Sequence, residues 1–277
     1  MTLQIFSYEY FIQKSMNLNR KEYKLPEYSQ KQFNDVKKKL NIRKEIVKET
    51  LMKPTTLGKQ EELVATLFKI FNKITEKTYD KLSVEAFSII SQNISEKEKI
   101  YSAFFQVVLN NSFFCYLYAK LYKEFIKINN DFLNILEKQT ETYLIEIENI
   151  VYISPSENYD QYCDYVKQVD GVKNFTNFLI QCLNENILEN RVLLELAFTF
   201  QSRCLINIDN EEKLFLNEIY VSNIAIIVTD SCKKICKSKI WSTFVANHET
   251  LVKSQGYGKN KKMHFKLLDI SEQIVAS

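Results

Sequence analysis

Residues 59–128 contain two consecutive patterns of a helix, a short turn and a second helix, and this repetition strongly constrains the fold. The apolar side chains recur at steps of three or four residues, which places them on one face of an α-helix. In the first pattern they are Leu63, Leu67, Ile70, Ile74, Tyr79, Leu82, Ala86, Ile89 and Ile90. We expect Thr75 to cap the second helix, because a threonine hydroxyl can accept a hydrogen bond from an amide in the first helical turn.

The second pattern begins with Ser95 and Glu98, whose spacing predicts a capping box at the start of a helix over residues 96–109. A polar turn follows at residues 110–112. The next helix has its apolar face at Phe114, Leu117, Tyr118, Leu121, Phe125 and Ile128. Helical pairs of this size, stacked on one another, are typical of a helical solenoid.

The rest of the chain favours the same all-α architecture. With four glycines and three prolines in 277 residues, the chain has few tight turns and no Gly-rich phosphate-binding loop. Helical spacing predicts helices over 130–153, 172–186, 187–206, 211–236, 239–253 and 259–274, with a tyrosine-rich polar connector at 159–171. Residues 221–228 are rich in β-branched side chains, but their neighbours have helical spacing, so we predict a buried helix. The chain from residue 59 onward therefore contains about ten helices, or about five hairpins.

The first 55 residues form a separate region. Pro26 interrupts any helix there, and a charged helix with a narrow apolar stripe is predicted from Ser29 to the proline at position 54. We therefore divide the chain into an N-terminal extension, 1–55, which contains one short helix, and a helical domain, 56–277.

The sequence offers little support for catalysis, a cofactor or a metal. His248 and His264 are the only histidines, and neither belongs to a recognisable nucleophile–base motif. Cys232 and Cys236 are one helical turn apart, but no second pair completes a metal site. The six cysteines lack the spacing of a disulfide framework, and no apolar run is long enough to cross a bilayer. We expect a non-enzymatic cytoplasmic protein without cofactors.

Four segments resemble, in order, motifs in the middle domain of eukaryotic translation initiation factor 4G. They are residues 67–82 (LFKIFNKITEKTYDKL), 111–121 (NSFFCYLYAKL), 171–188 (GVKNFTNFLIQCLNENIL) and 260–270 (NKKMHFKLLDI). The chain departs from the first motif by having isoleucines for leucines and Glu76 where the family usually has proline. The third repeat, 130–170, matches only in its helical pattern. The resemblance implies a solenoid of five hairpins of the HEAT-repeat type.

Members of this family are scaffolds that bind both lobes of a DEAD-box RNA helicase resembling initiation factor 4A. The resemblance implies helicase contacts at two turns and at the last hairpin of a chain that is monomeric on its own. The corresponding residues are Asn72, Lys73, Thr75, Glu76, Asn111, Phe113, Lys261, Lys262 and Phe265. Phe113 and Phe265 also fit a core position, because aromatic residues within apolar patterns are more often buried than exposed.

A second resemblance lies in the N-terminal extension. Residues 28–34 (YSQKQFN) are similar to the peptide by which factor 4G proteins bind the cap-binding factor 4E, which folds into a short helix in a groove. The segment departs from that peptide by having Phe33 for leucine and Asn34 for an apolar residue, so Tyr28, Phe33 and Val36 would make the contacts. The alternative is an amphipathic helix that packs on the end of the solenoid itself.

Local basic clusters indicate a possible contact with RNA, although the formal net charge of the chain is only +3. The residues concerned are Lys37, Lys38, Lys39, Lys259 and His264. The alternative for the lysines is a solvated surface without a ligand. The resemblance thus implies a translation initiation scaffold that binds and stimulates a DEAD-box helicase. The alternatives are a same-fold adaptor in a cap-binding, splicing or decay complex, and an RNA-binding adaptor.

Overall fold

The computed structural model describes residues 59–254 and 260–276, together with Tyr28 and Lys31. The described residues contain ten α-helices and no β-strand. All ten belong to one compact unit, Gly58–Ser277. The helices are α1 Lys59–Phe71, α2 Tyr79–Gln92, α3 Lys97–Val108, α4 Cys115–Ile128, α5 Asp131–Glu148, α6 Tyr159–Asn184, α7 Asn190–Ile206, α8 Leu214–Ile235, α9 Trp241–Lys253 and α10 Lys261–Val275.

The helices pack in two layers that follow their order in the chain. The even-numbered helices form one layer, in which α2 contacts α4, α4 contacts α6, α6 contacts α8 and α8 contacts α10. In the other layer α1 contacts α3, α3 contacts α5, and α7 contacts α9. An ion pair between Arg203 of α7 and Glu148 of α5, at 2.9 Å, links the two halves of this second layer. The predicted all-α class is confirmed, and the layered packing is consistent with a helical solenoid.

The first half of the core is an aromatic cluster centred on Phe104 of α3. Its ring lies 5.3 Å from Phe71 of α1, 5.4 Å from Tyr122 of α4 and 5.9 Å from Phe178 of α6. All four side chains are fully buried. Because each ring comes from a different helix, the cluster holds the first hairpins against α6, and offset and edge-to-face ring pairs add to the stabilisation from apolar burial.

A buried polar network joins α5, α6 and α8. The Tyr143 hydroxyl lies 2.6 Å from the carbonyl oxygen of Val172 and 2.8 Å from the hydroxyl of Thr176. Thr176 donates in turn to Asn223 Oδ1 at 2.8 Å. Buried polar groups are costly unless they are hydrogen-bonded, so this network selects one relative position of the three helices.

The predicted connector at residues 159–171 is wrong, because this segment is the first half of the long helix α6, Tyr159–Asn184. Asn158 caps the helix by accepting a hydrogen bond from the amide of Gln161 at 3.1 Å. Tyr165 and Val169, four residues apart, pack against the core from one face. Tyr165 therefore belongs to the apolar face of a helix, whereas Tyr159, at the start of that helix, is exposed.

Several boundaries also differ from the predictions. Helix α5 ends at Glu148, not near residue 153, and α7 begins at Asn190. The capping box is not formed: Ser95 lies in a short 3₁₀ turn, Ile94–Glu96, and α3 has no side-chain cap. Residues 221–228 lie within α8, Leu214–Ile235, so the predicted buried helix is confirmed.

No disulfide joins the six cysteines, and four of them are buried: Cys115, Cys182, Cys204 and Cys232. Within residues 59–254 and 260–276, no group of three or more His, Cys, Asp or Glu side chains is arranged to hold a metal ion. In the same part of the chain, no helix combines the length and apolarity required to span a bilayer.

Candidate partner-binding surface

The turn between α1 and α2 presents polar side chains on a rigid backbone. Asn72, Lys73 and Glu76 are exposed, and Thr75 is half-buried. The predicted cap at Thr75 is wrong, because α2 begins at Tyr79 and the residue before it is Thr78. The amide of Thr75 instead donates to the hydroxyl of Thr78 at 2.9 Å. Residues 74–78 therefore form a turn of their own before the helix starts.

The turn between α3 and α4 lies beside the first turn and is hydrogen-bonded to it. Tyr116, in the first turn of α4, donates to Glu76 Oε1 at 2.5 Å. Tyr118 donates to the carbonyl of Phe71 and accepts from Asn111 Nδ2, both at 3.3 Å. The hydrogen bond to the Glu76 carboxylate raises the pKa of Tyr116. These contacts place the turn that contains Glu76 beside the turn that contains Asn111.

Phe113 and Phe265 are both exposed, so the alternative of a core position is wrong for each. Phe113 is 78% exposed, and its ring meets the edge of Phe114 at 4.9 Å. Phe265 is 61% exposed on the outward face of α10. Both rings are therefore accessible to another molecule.

The start of α10 carries the second group of predicted residues. Asn260 caps the helix by accepting from the amide of Met263 at 3.2 Å and donates through Nδ2 to Glu218 of α8 at 2.7 Å. Lys261 and Lys262 are exposed, and Lys262 Nζ lies 3.6 Å from Glu218 Oε2. The N-terminal end of α10 is thus anchored to α8, and its lysines project from a fixed backbone.

Direct contacts connect the second turn with α6. Asn174 Nδ2 of α6 donates to the carbonyl of Leu109 at 2.8 Å. Lys173 directly precedes Asn174 in α6. It lines a cavity together with Lys262 and Lys266 of α10. The middle of α6 therefore contacts the end of α3, and it shares the lining of this cavity with α10.

This cavity between α6, α8 and α10 was not predicted. It has a volume of about 440 Å³, and its charged and aromatic lining includes Lys173, Lys266, Tyr152 and Tyr165. Two signals could have found it. Tyr162, Tyr165 and Val169 have helical spacing, and Lys262 and Lys266 are one helical turn apart on the same helix.

The remaining predicted contacts are those with RNA and with a cap-binding factor. His264 is half-buried, and its Nδ1 atom is buried without a hydrogen-bond partner among the described residues. Tyr28 is helical and 73% exposed. The remaining predicted contacts lie outside the described residues; they are Phe33, Val36, Lys37, Lys38, Lys39 and Lys259.

Comparison with protein-family models and with curated proteins gave no match for this chain.

Proposed function

We propose that this protein is a non-enzymatic translation initiation scaffold of the HEAT-repeat type that binds and stimulates a DEAD-box helicase resembling initiation factor 4A. The proposal rests on the four ordered motifs that resemble the middle domain of factor 4G. The structural observation that carries it is the exposure of Phe113 and Phe265, 78% and 61%, where that resemblance expects helicase contacts.

The packing of the helices suits such a role. The helicase has two mobile lobes, and a stiff partner that contacts both lobes favours the arrangement that it binds more tightly. Moving a two-state equilibrium from about 1:99 to about 99:1 requires roughly a 10⁴-fold difference in affinity between the states. The Phe104 cluster and the Tyr143 network provide stiffness by fixing successive hairpins to one another.

The test is a pull-down of a factor 4A-type helicase by the full chain, combined with its RNA-stimulated ATPase activity. We expect binding and stimulation by the wild type. Phe113→Ser and Phe265→Ser should each weaken binding by about tenfold, because a buried aromatic anchor at an interface contributes more than 1 kcal/mol. Ile206→Ser is the matched control, since Ile206 is 72% exposed at the end of α7 and lies outside the proposed surface.

The outcomes separate the alternatives. Absence of both binding and stimulation would overturn the proposal. Recovery of a different helicase in an unbiased pull-down would favour an adaptor in a cap-binding, splicing or decay complex, since a shared fold does not fix function. Loss of RNA affinity in Lys261→Gln and Lys262→Gln variants that still bind the helicase would favour the RNA-binding adaptor.

We further propose that Tyr28 takes part in binding a cap-binding factor of the 4E type. The resemblance of residues 28–34 to the factor 4E-binding peptide supports this proposal, and Tyr28 is 73% exposed. Tyr28→Ala in the full chain should reduce binding to a factor 4E protein by at least tenfold while leaving helicase binding unchanged. Equal factor 4E binding by both chains, or none by the wild type, would refute this link.

A further inference from the structure

The lining of the cavity between α6, α8 and α10 combines cationic and aromatic side chains. Three of its residues are lysines: Lys173, Lys262 and Lys266. Four are aromatic and come from three separate segments: Tyr152, Tyr162, Tyr165 and Phe215. Its volume of about 440 Å³ lies within the range of small-molecule sites.

The charges of the lining do not cancel. Lys173 Nζ lies 2.9 Å from Asp170 Oδ1, and Lys262 Nζ lies 3.6 Å from Glu218 Oε2. Lys266 donates instead to a neutral group, the hydroxyl of Ser222 in α8, at 2.6 Å. The two carboxylates therefore balance two of the three lysines, and Lys266 adds one excess positive charge to a partly buried site.

The position of Lys266 makes that charge costly. Burial lowers the pKa of Lys266, the nearby ammonium groups of Lys262 and Lys173 lower it further, and the carboxylate of Glu218 raises it by less. An anion placed among the three ammonium groups would relieve this repulsion. Phosphate suits the position, because lysine binds it as a point charge and because its oxygens can accept several hydrogen bonds.

The aromatic residues of the lining provide a surface for a planar ring. The ring of Tyr152 meets Tyr165 edge-on at 5.3 Å and lies 6.0 Å from the ring of Phe215. Tyr152 itself is 49% exposed. A tyrosine ring held in this way can stack on a nucleobase, a contact that tolerates every base because each has a π-face.

We propose that this cavity binds a nucleoside phosphate, with the phosphate between Lys173, Lys262 and Lys266 and the base against Tyr152. The nucleoside phosphate is either a free nucleotide or one nucleotide of an RNA strand. The inference goes beyond the proposed helicase contact and depends on residues that the helicase surface does not use, except for Lys262.

The experiment is calorimetric titration of the full chain with uridine monophosphate, inorganic phosphate, uridine and a short oligouridylate. We expect uridine monophosphate to bind more tightly than phosphate or uridine alone. Lys266→Gln should weaken nucleotide binding by about tenfold, and Tyr152→Leu should weaken the nucleotide but not phosphate. Lys167→Gln is the matched control, because Lys167 is exposed on α6, the helix that carries Lys173, and does not line the cavity.

The outcomes distinguish RNA from a free nucleotide and show whether the cavity binds either. Oligouridylate binding at least tenfold more tightly than the mononucleotide identifies RNA as the source, whereas equal affinities identify a free nucleotide. The inference is overturned if neither binds at millimolar concentration, if Lys266→Gln and a second variant, Lys173→Gln, both leave the affinity unchanged, or if an oligoglutamate peptide binds in place of the nucleotide. Helicase binding by Lys266→Gln, measured in parallel, keeps a failure here separate from a failure of the proposed function.

Discussion

The hydroxyl of Thr78 donates a hydrogen bond to the carbonyl oxygen of Lys73, at 2.6 Å, across the turn that joins α1 to α2. The same hydroxyl accepts from the amide of Thr75 at 2.9 Å. The Thr78 side chain therefore satisfies the amide of Thr75 and the carbonyl of Lys73, two backbone groups that would otherwise need water as a hydrogen-bond partner. Because Glu76 lies inside this turn and accepts from Tyr116, the geometry of the first part of the proposed surface depends on Thr78.

Replacing Thr78 by valine should destabilise the fold by about 1 kcal/mol, because valine has nearly the same shape but cannot make these hydrogen bonds. The free energy of unfolding in urea measures the effect. Thr75→Val is the matched control, since within the described part of the chain the Thr75 hydroxyl has one hydrogen bond, to Thr78 at 3.0 Å. An equal loss of stability in both variants would contradict the role assigned to Thr78.

The comparison of Thr75 with Thr78 shows what the sequence could and could not predict. Apolar spacing located α1 and α2 correctly, since Leu67, Ile70 and Ala86 are all buried as their pattern indicates. Both threonines are good capping residues, so composition alone could not choose between them. Which threonine precedes α2 depends on the number of residues in the turn, and α2 begins at Tyr79, directly after Thr78.

The cavity between α6, α8 and α10 shows a second limit of prediction from the sequence. Residues 159–171 contain tyrosines, charged residues and few aliphatic side chains, so they resembled a loop, although Tyr165 and Val169 pack on the core. The predicted helicase contacts near Glu76 and Asn111 came from a resemblance between short, continuous sequence motifs. Lys173 and Lys266 are far apart in the chain, and only the packing of α6 beside α8 and α10 brings them to one cavity.

The C-terminus of α6 provides a prediction about backbone conformation. Asn186 has a φ of 58°, and the amide of Ile187 donates to the carbonyl of Cys182 at 2.8 Å, as in a Schellman motif. Asn186→Ala should destabilise the fold by about 1 kcal/mol, because alanine adopts the left-handed region less readily than asparagine. Asn186→Gly, measured in the same urea titration, should be at least as stable as the wild type. Equal stability of the alanine and glycine variants would contradict this explanation.

Replacing Gly171 by alanine should stabilise the fold, in contrast to the substitution of Asn186. It is buried inside α6, where a Cβ atom would lie 3.7 Å from the carbonyl oxygen of Leu109 and 3.9 Å from its Cβ. These are ordinary contact distances, so Gly171→Ala should stabilise the protein by about 0.5–1 kcal/mol by reducing the entropy of the unfolded chain. A higher melting temperature would support this. Gly171→Leu is the comparison, and it should be destabilising because its longer side chain has to displace Leu109.

The last prediction concerns the pH dependence of stability and the buried His248. Its Nε2 atom lies 3.0 Å from the carbonyl oxygen of Leu267 and 2.9 Å from the Ser271 hydroxyl. Since a carbonyl can only accept, Nε2 carries the proton of the neutral ring. The other ring nitrogen, Nδ1, is buried without a hydrogen-bond partner in the described part of the chain. Protonation would therefore create a buried charge and a donor with no acceptor.

Burial lowers the pKa of His248 below its usual 6.5. The unfolded chain then binds a proton more readily than the folded chain, so this histidine's contribution to stability is complete above pH 6.5 and is lost as the pH falls towards the folded-state pKa. Urea unfolding at a series of pH values should show this loss for the wild type and a smaller loss for His248→Gln. His264→Gln measures the contribution of the other histidine in the chain. An identical pH dependence for the wild type and His248→Gln would show that protonation of His248 does not govern the acid sensitivity of the packing between α9 and α10.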